Sequence, residues 1–109
     1  MERFFESAED NFKNKRYTAA GEDYAKPIFL MIDEYLNNKY NITVKDHSER
    51  RLFLLSKQKE DKICEELLNI YISVYNLYRE TYTRSLSYEE ANILRESALK
   101  VKDIIENAR

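Results

Sequence analysis

Apolar positions along the 109 residues recur at intervals of three and four, the spacing that puts side chains on one helix face, and they divide the chain into five helical segments. Phe4, Phe5, Ala8 and Phe12 predict a short first helix. It should stop before the basic stretch KNKR, whose cations suit the negative end of a helix dipole. A second helix is expected from about Thr18 to about Asn38, with Ala20, Tyr24, Ile28, Met31, Ile32, Tyr35 and Leu36 near one stripe. Pro27 falls inside it. A proline there lacks an N–H and crowds the Asp23 carbonyl, which predicts a kink or a restarted helix.

The third segment opens with Asp46 and, three residues later, Glu49, the form of a capping box, ahead of Leu52, Phe53 and Leu55. On that reading His47 is a first-turn residue. After the polar SKQKEDK, helix four should run from about Glu60 to about Tyr82 and contains LLNIYISVYNLY, residues 67 to 78, without a formal charge. Leu67, Ile70, Tyr71, Val74, Leu77 and Tyr78 form one face, while Leu68, Ile72 and Tyr75 lie on the other side. A helix that is apolar nearly all round is either central in a bundle or shared with a second subunit. Leu68, Ile72 and Tyr75 are accordingly the expected homodimer contacts. In the last segment Ser87 and Glu90 form another capping box, and Ala91, Leu94, Ala98, Val101, Ile105 and Ala108 mark a single seam.

One glycine and one proline leave little of the punctuation that strands and tight turns need, so the expected fold is all-α, an up-and-down bundle of four or five helices in one domain spanning residues 1–109. The 18 Lys and Arg against 20 Asp and Glu, a net charge of -2, provide no overall field for nucleic acid or anionic lipid. Contact with either would need a local patch. Charges in the opening MERFFESAED stand where a secretory signal needs an apolar core, and no uncharged stretch is long enough to cross a bilayer. With a single cysteine, the expectation is a soluble, cytoplasmic protein without a membrane contact.

Chemistry is sparse. One His and one Cys cannot build a closed zinc site, no Glu-x-x-His pair suggests a di-metal bundle, and no cofactor is expected. Cys64 has no neighbouring histidine and reads as a buried thiol, and Gly21 alone makes no glycine-rich phosphate loop. Two clusters remain. YRETYTR interleaves Tyr78, Arg79, Tyr82 and Arg84, a mixture able to hold phosphate and stack on bases, although basic residues also suit a helix end. His47, Arg50 and Arg51, three and four residues apart, could project to one side as an acid–base and charge-stabilising group, or could be a solvated helix start.

The order of these segments, with KRYTAAGEDYAKPIFLMIDEYLNNKYN, DHSERRLFLLSK, YISVYNLYRETY and EEANILRESALKVKDIIE, resembles the HEPN superfamily (higher eukaryotes and prokaryotes nucleotide-binding domain) over essentially the whole chain. The resemblance rests on that order, on Tyr17-x-x-Ala20 and Tyr24-Ala25, and on the position of His47. It implies a helical bundle, usually homodimeric, in a superfamily that includes RNA-cleaving toxins of toxin–antitoxin pairs, partners of minimal nucleotidyltransferases, and members without known catalysis. Its ribonucleases carry Arg, four to six residues, then His. Here the matching positions after Arg50, Arg79 and Arg84 hold no histidine, and no arginine stands at that distance before His47.

The resulting expectation is a non-catalytic, HEPN-like homodimeric binding or partner module, taking nucleotide or RNA at His47, Arg50, Arg51, Tyr78, Arg79, Tyr82 and Arg84, or pairing with a nucleotidyltransferase. The alternative is a divergent ribonuclease or nucleotide-processing enzyme using His47 with Arg50 and either Arg79 or Arg84.

Overall fold

The computed structural model describes residues 2–108, with the side chains of Glu2 and Phe4 left outside the description, so the expected place of Phe4 on an apolar face lies outside the described residues. Five helices follow one another: α1 (Glu2–Lys13), α2 (Tyr17–Tyr40), α3 (His47–Lys57), α4 (Lys62–Glu80) and α5 (Tyr88–Asn107). Among the described residues there is no strand, and the fold is the expected all-α bundle. No described helix is long and apolar enough to cross a membrane.

Two helices share the centre. The charge-free run predicts a central α4, and α4 does lie against α2, α3 and α5. α2 is covered just as fully, by α1, α4 and α5. Its expected stripe is buried, and so are Gly21, Ala25, Pro27 and Phe29 on adjoining sides. Gly21 is needed for that approach: a Cβ there would stand 2.5 Å from Leu86 Cδ1 and 3.0 Å from Leu94 Cδ1. The backbone N–H of Leu86 donates to Thr18 Oγ1 at 2.9 Å and ties the α4–α5 connection to α2.

Pro27 does not restart the helix. α2 is continuous from Tyr17 to Tyr40 with Pro27 buried in it, so tertiary packing overrides a local cost of about 3 kcal/mol. Asp23, whose carbonyl the proline opposes, receives hydrogen bonds from Ser7 Oγ at 2.6 Å and Asn11 Nδ2 at 3.0 Å, which fasten α1 to that turn.

Helix ends follow local chemistry. Ser87 and Glu90 complete their capping box. Asp46 caps α3 by accepting from Glu49 N at 2.8 Å, but Glu49 Oε1 reaches the N–H of Lys45 at 3.3 Å, one residue before the reciprocal partner. Asn41 ends α2 in the left-handed conformation, φ 55°, which asparagine tolerates better than most residues. The α5 seam is buried from Ala91 to Ile105 and ends there, since Ala108 is exposed.

α4 begins at Lys62, two residues past the expected Glu60, because Asp61 is its cap. Asp61 Oδ1 accepts from Ile63 N and Cys64 N. Its Oδ2 accepts from Tyr35 Oη at 3.0 Å, Lys39 Nζ at 2.9 Å and Tyr40 Oη at 2.7 Å. Burial opposes ionisation of this carboxyl, and the hydrogen bonds from Lys39, Tyr40 and Tyr35 outweigh burial, holding it well below the usual carboxylate range. Cys64 lies in the same cluster, its thiol pushed up to about 12 by burial and by the Asp61 charge, so it is an inert thiol.

Replacing Asp61 by Asn puts an amide donor among groups that themselves donate. Asp61→Asn is expected to lower stability by about 2 kcal/mol, read by urea unfolding. Because the folded carboxyl titrates below the unfolded one, its contribution is complete above about pH 4 and declines with further acidification. The gap between wild type and Asp61→Asn should therefore narrow as pH falls from about 4 to about 2.

Candidate functional site

α3 begins at His47, and the two arginines that follow differ in burial. Arg50 turns inward and is 7% exposed. Its Nε donates to Asp33 Oδ1 at 2.6 Å and its Nη2 to Asp33 Oδ2 at 2.7 Å, a forked pair between α3 and α2. The guanidinium carbon lies 5.3 Å from the Phe29 ring centre and 5.5 Å from that of Tyr71. Arg51, about 100° further round the helix, is exposed and makes no hydrogen bond or ion pair with a described residue. His47, Arg50 and Arg51 therefore do not share one side.

The third guanidinium nitrogen, Arg50 Nη1, lies 2.7 Å from His47 Nδ1. Tyr71 Oη is 2.9 Å from the same ring nitrogen and 3.3 Å from the His47 carbonyl. Half-buried, the imidazole stands among rings from two helices: Tyr75 at 4.6 Å, Phe29 at 4.8 Å, Tyr71 at 6.1 Å and Tyr78 at 6.4 Å between centres. Burial, and then the Arg50 charge, lower the His47 pKa, against smaller opposing effects of Asp33 and Asp46.

Along α4 the tyrosines emerge from the core by degrees. Tyr71 is 1% exposed, Tyr75 and Tyr78 are half-buried, and Tyr82 is 71% exposed. Tyr78 and Tyr82 meet edge to face at 5.6 Å. The Tyr78 phenol is pushed up to about 12 by its hydrogen bond with Tyr82 and by burial, and it stays neutral in ordinary buffers. Arg79 is exposed, 5.9 Å from the Tyr75 ring centre, and borders a shallow depression of about 470 Å³ with Asn76, Leu77, Glu80 and Thr83.

Arg84 does not join this surface as a free cation. It pairs with Glu80 at 2.8 Å and with Glu90, whose hydrogen bonds hold the guanidinium between α4 and the α5 cap. Of the expected dimer contacts, Leu68 is 3% exposed in the single chain and offers no surface to a second copy, because the chain's own core already covers it. Ile72 and Tyr75 are half-buried.

The site thus gathers His47, Tyr75, Tyr78, Arg79 and Tyr82, with Arg50 behind it, Arg51 exposed on α3, and Arg84 tied to Glu80 and Glu90. Phe29, Asp33 and Tyr71 are the members that sequence reasoning did not assign to a site. An acid at position 33, one turn after Phe29 inside an apolar run, was the available signal. No group of three or more potential metal ligands occurs among the described residues. Comparison with known proteins finds no matching family model, no similar curated protein and no similar solved structure.

Two outcomes follow for stability. Arg50→Ala leaves Asp33 without its partner and is expected to cost about 3 kcal/mol, while Arg79→Ala should stay within about 0.5 kcal/mol, both read by thermal unfolding. With a folded pKa below the ordinary 6.5, His47 contributes stability in full above that value and loses it as the solution is acidified further. A stability decline beginning below pH 6.5 should thus be present in wild type and absent from His47→Gln.

Proposed function

We propose that the chain is a non-catalytic, HEPN-like binding module that receives RNA, or a nucleotide, on the surface formed by His47, Tyr75, Tyr78, Arg79 and Tyr82. The observation that carries this reading is that His47 and Arg79 both lie within 6 Å of the Tyr75 ring centre, putting an imidazole and an unpaired guanidinium beside half-exposed aromatic faces. Stacking on tyrosine together with a cation for phosphate is a common way to hold single strands without reading sequence.

Binding is favoured over cleavage by the state of the other arginines. The alternative needs Arg50 and either Arg79 or Arg84 free to stabilise developing charge. Arg50 is neutralised by Asp33 and Arg84 by Glu80 and Glu90. The absent Arg-x4-6-His motif points the same way. Homodimerisation and a nucleotidyltransferase partner rest on the resemblance, and with Leu68 buried only Ile72 and Tyr75 of the expected dimer contacts keep surface for a second copy.

Fluorescence anisotropy with a labelled single-stranded RNA tests the proposal. Saturable binding is expected, weakened roughly tenfold by Tyr75→Ala, with a salt slope reduced by about 1 in Arg79→Ala. The RNA should remain intact. No saturable binding, or binding unchanged in both variants, would remove the site, and cleavage that disappears in His47→Ala would establish the ribonuclease alternative.

A further inference from the structure

Asp33 takes two of the three guanidinium nitrogens of Arg50 and leaves the third, Nη1, aimed at His47 Nδ1 at 2.7 Å. Arginine has donors and no acceptor, so Nδ1 must be the acceptor. A neutral imidazole that accepts at Nδ1 carries its proton on Nε2. Tyr71 fits this assignment because its hydroxyl can donate to the His47 carbonyl at 3.3 Å while its oxygen stays beside the Arg50–Nδ1 contact.

The other ring nitrogen is open. No described residue hydrogen-bonds to Nε2. No buried side-chain nitrogen or oxygen lacks a partner among the described residues, so Nε2 must reach solvent. What His47 presents outward is therefore a donor. Arg79, on the same Tyr75 ring, also only donates.

We propose that Asp33 is a positioning residue which, through Arg50, locks His47 in the Nε2–H form, and that Nε2–H and the Arg79 guanidinium together form a subsite for a phosphate group. The first half stands on the protein alone; the second rests on the binding reading above. The lock makes the site selective in a definite way. A group that must donate finds no acceptor there, whereas phosphate oxygens meet donors from both sides. It also explains why His47 is unsuited to moving protons. As a base its free nitrogen is already protonated, and a second proton on Nδ1 would face the Arg50 cation. The charged and titratable groups around the ring are Arg50 and Asp46 from α3 and its cap, Asp33 from α2, and Tyr71, Tyr75 and Tyr78 from α4.

With one histidine in the chain, nitrogen-15 NMR of the imidazole reports the lock without ligand. At neutral pH a bare Nδ1 and a protonated Nε2 are expected, without averaging between them. Asp33→Asn and Arg50→Met should each produce tautomer averaging, but they should move the titration midpoint in opposite directions. Arg50→Met removes a charge that lowers it and should raise it toward the ordinary 6.5, whereas Asp33→Asn removes a charge that raises it and should lower it. An Nδ1–H form or an averaged ring in the wild type would overturn the lock, whether or not either variant folds.

Titration of the same sample with inorganic phosphate, and separately with a single-stranded oligonucleotide, tests the subsite. Joint movement of the His47 Nε2 and Arg79 Nε resonances is expected. A response to inorganic phosphate assigns the subsite to a free or terminal phosphate, and a response to the oligonucleotide alone assigns it to a backbone diester. Movement with neither would overturn the subsite, and a locked ring seen in that same sample would locate the failure in the binding reading.

Discussion

The forked Asp33–Arg50 pair is the interaction on which the arrangement of α3 depends. α3 fully buries only Arg50 and Leu54, and it leaves Leu52 at 63% and Leu55 at 41% exposure, so an apolar face does not by itself hold it down. A buried guanidinium would be costly alone. Here it is neutralised by a carboxylate and covered by the Phe29 and Tyr71 rings. Such a pair contributes less to net stability than its geometry suggests, because both charges give up hydration. Its stronger effect is to single out one rotation of α3 about its axis, and with it one position for His47.

A second polar centre performs the same kind of work for α4. Asp61 caps that helix and also receives Tyr35, Lys39 and Tyr40 from α2, so one carboxylate sets both where α4 starts and how it lies on α2. Between them the two centres tether α3 and α4 to the same central helix. The aromatic surface is a consequence of that geometry. With α3 fixed on one side and α4 on the other, His47 comes among Phe29, Tyr71, Tyr75 and Tyr78.

The distribution of charge partners separates binding from chemistry. Arg50 and Arg84 have carboxylates of their own, while Arg79 and Arg51 have none among the described residues. A paired guanidinium supports structure, because drawing it toward a ligand would strand its acid. An unpaired one beside an aromatic face is available to an anion. The graded exposure from Tyr71 to Tyr82 adds a stacking surface that begins in the core and ends in solvent, which makes its inner end rigid.

What the sequence by itself determined was local: five helices, the Ser87 and Asp46 caps, the α5 seam as far as Ile105, and His47 as the first residue of its helix. These depend on contacts within about four residues, where side-chain spacing and capping chemistry carry the information. Only the tertiary structure decided that Arg50 faces inward and Arg51 outward, that Leu68 is sealed inside one chain, that α2 continues through Pro27, and that Asp33 meets an arginine 17 residues away. Each follows from which helix faces meet, and the period of a single helix leaves that open. The His47 site arises from such a meeting, of α2, α3 and α4, so the sequence showed its residues but not their assembly.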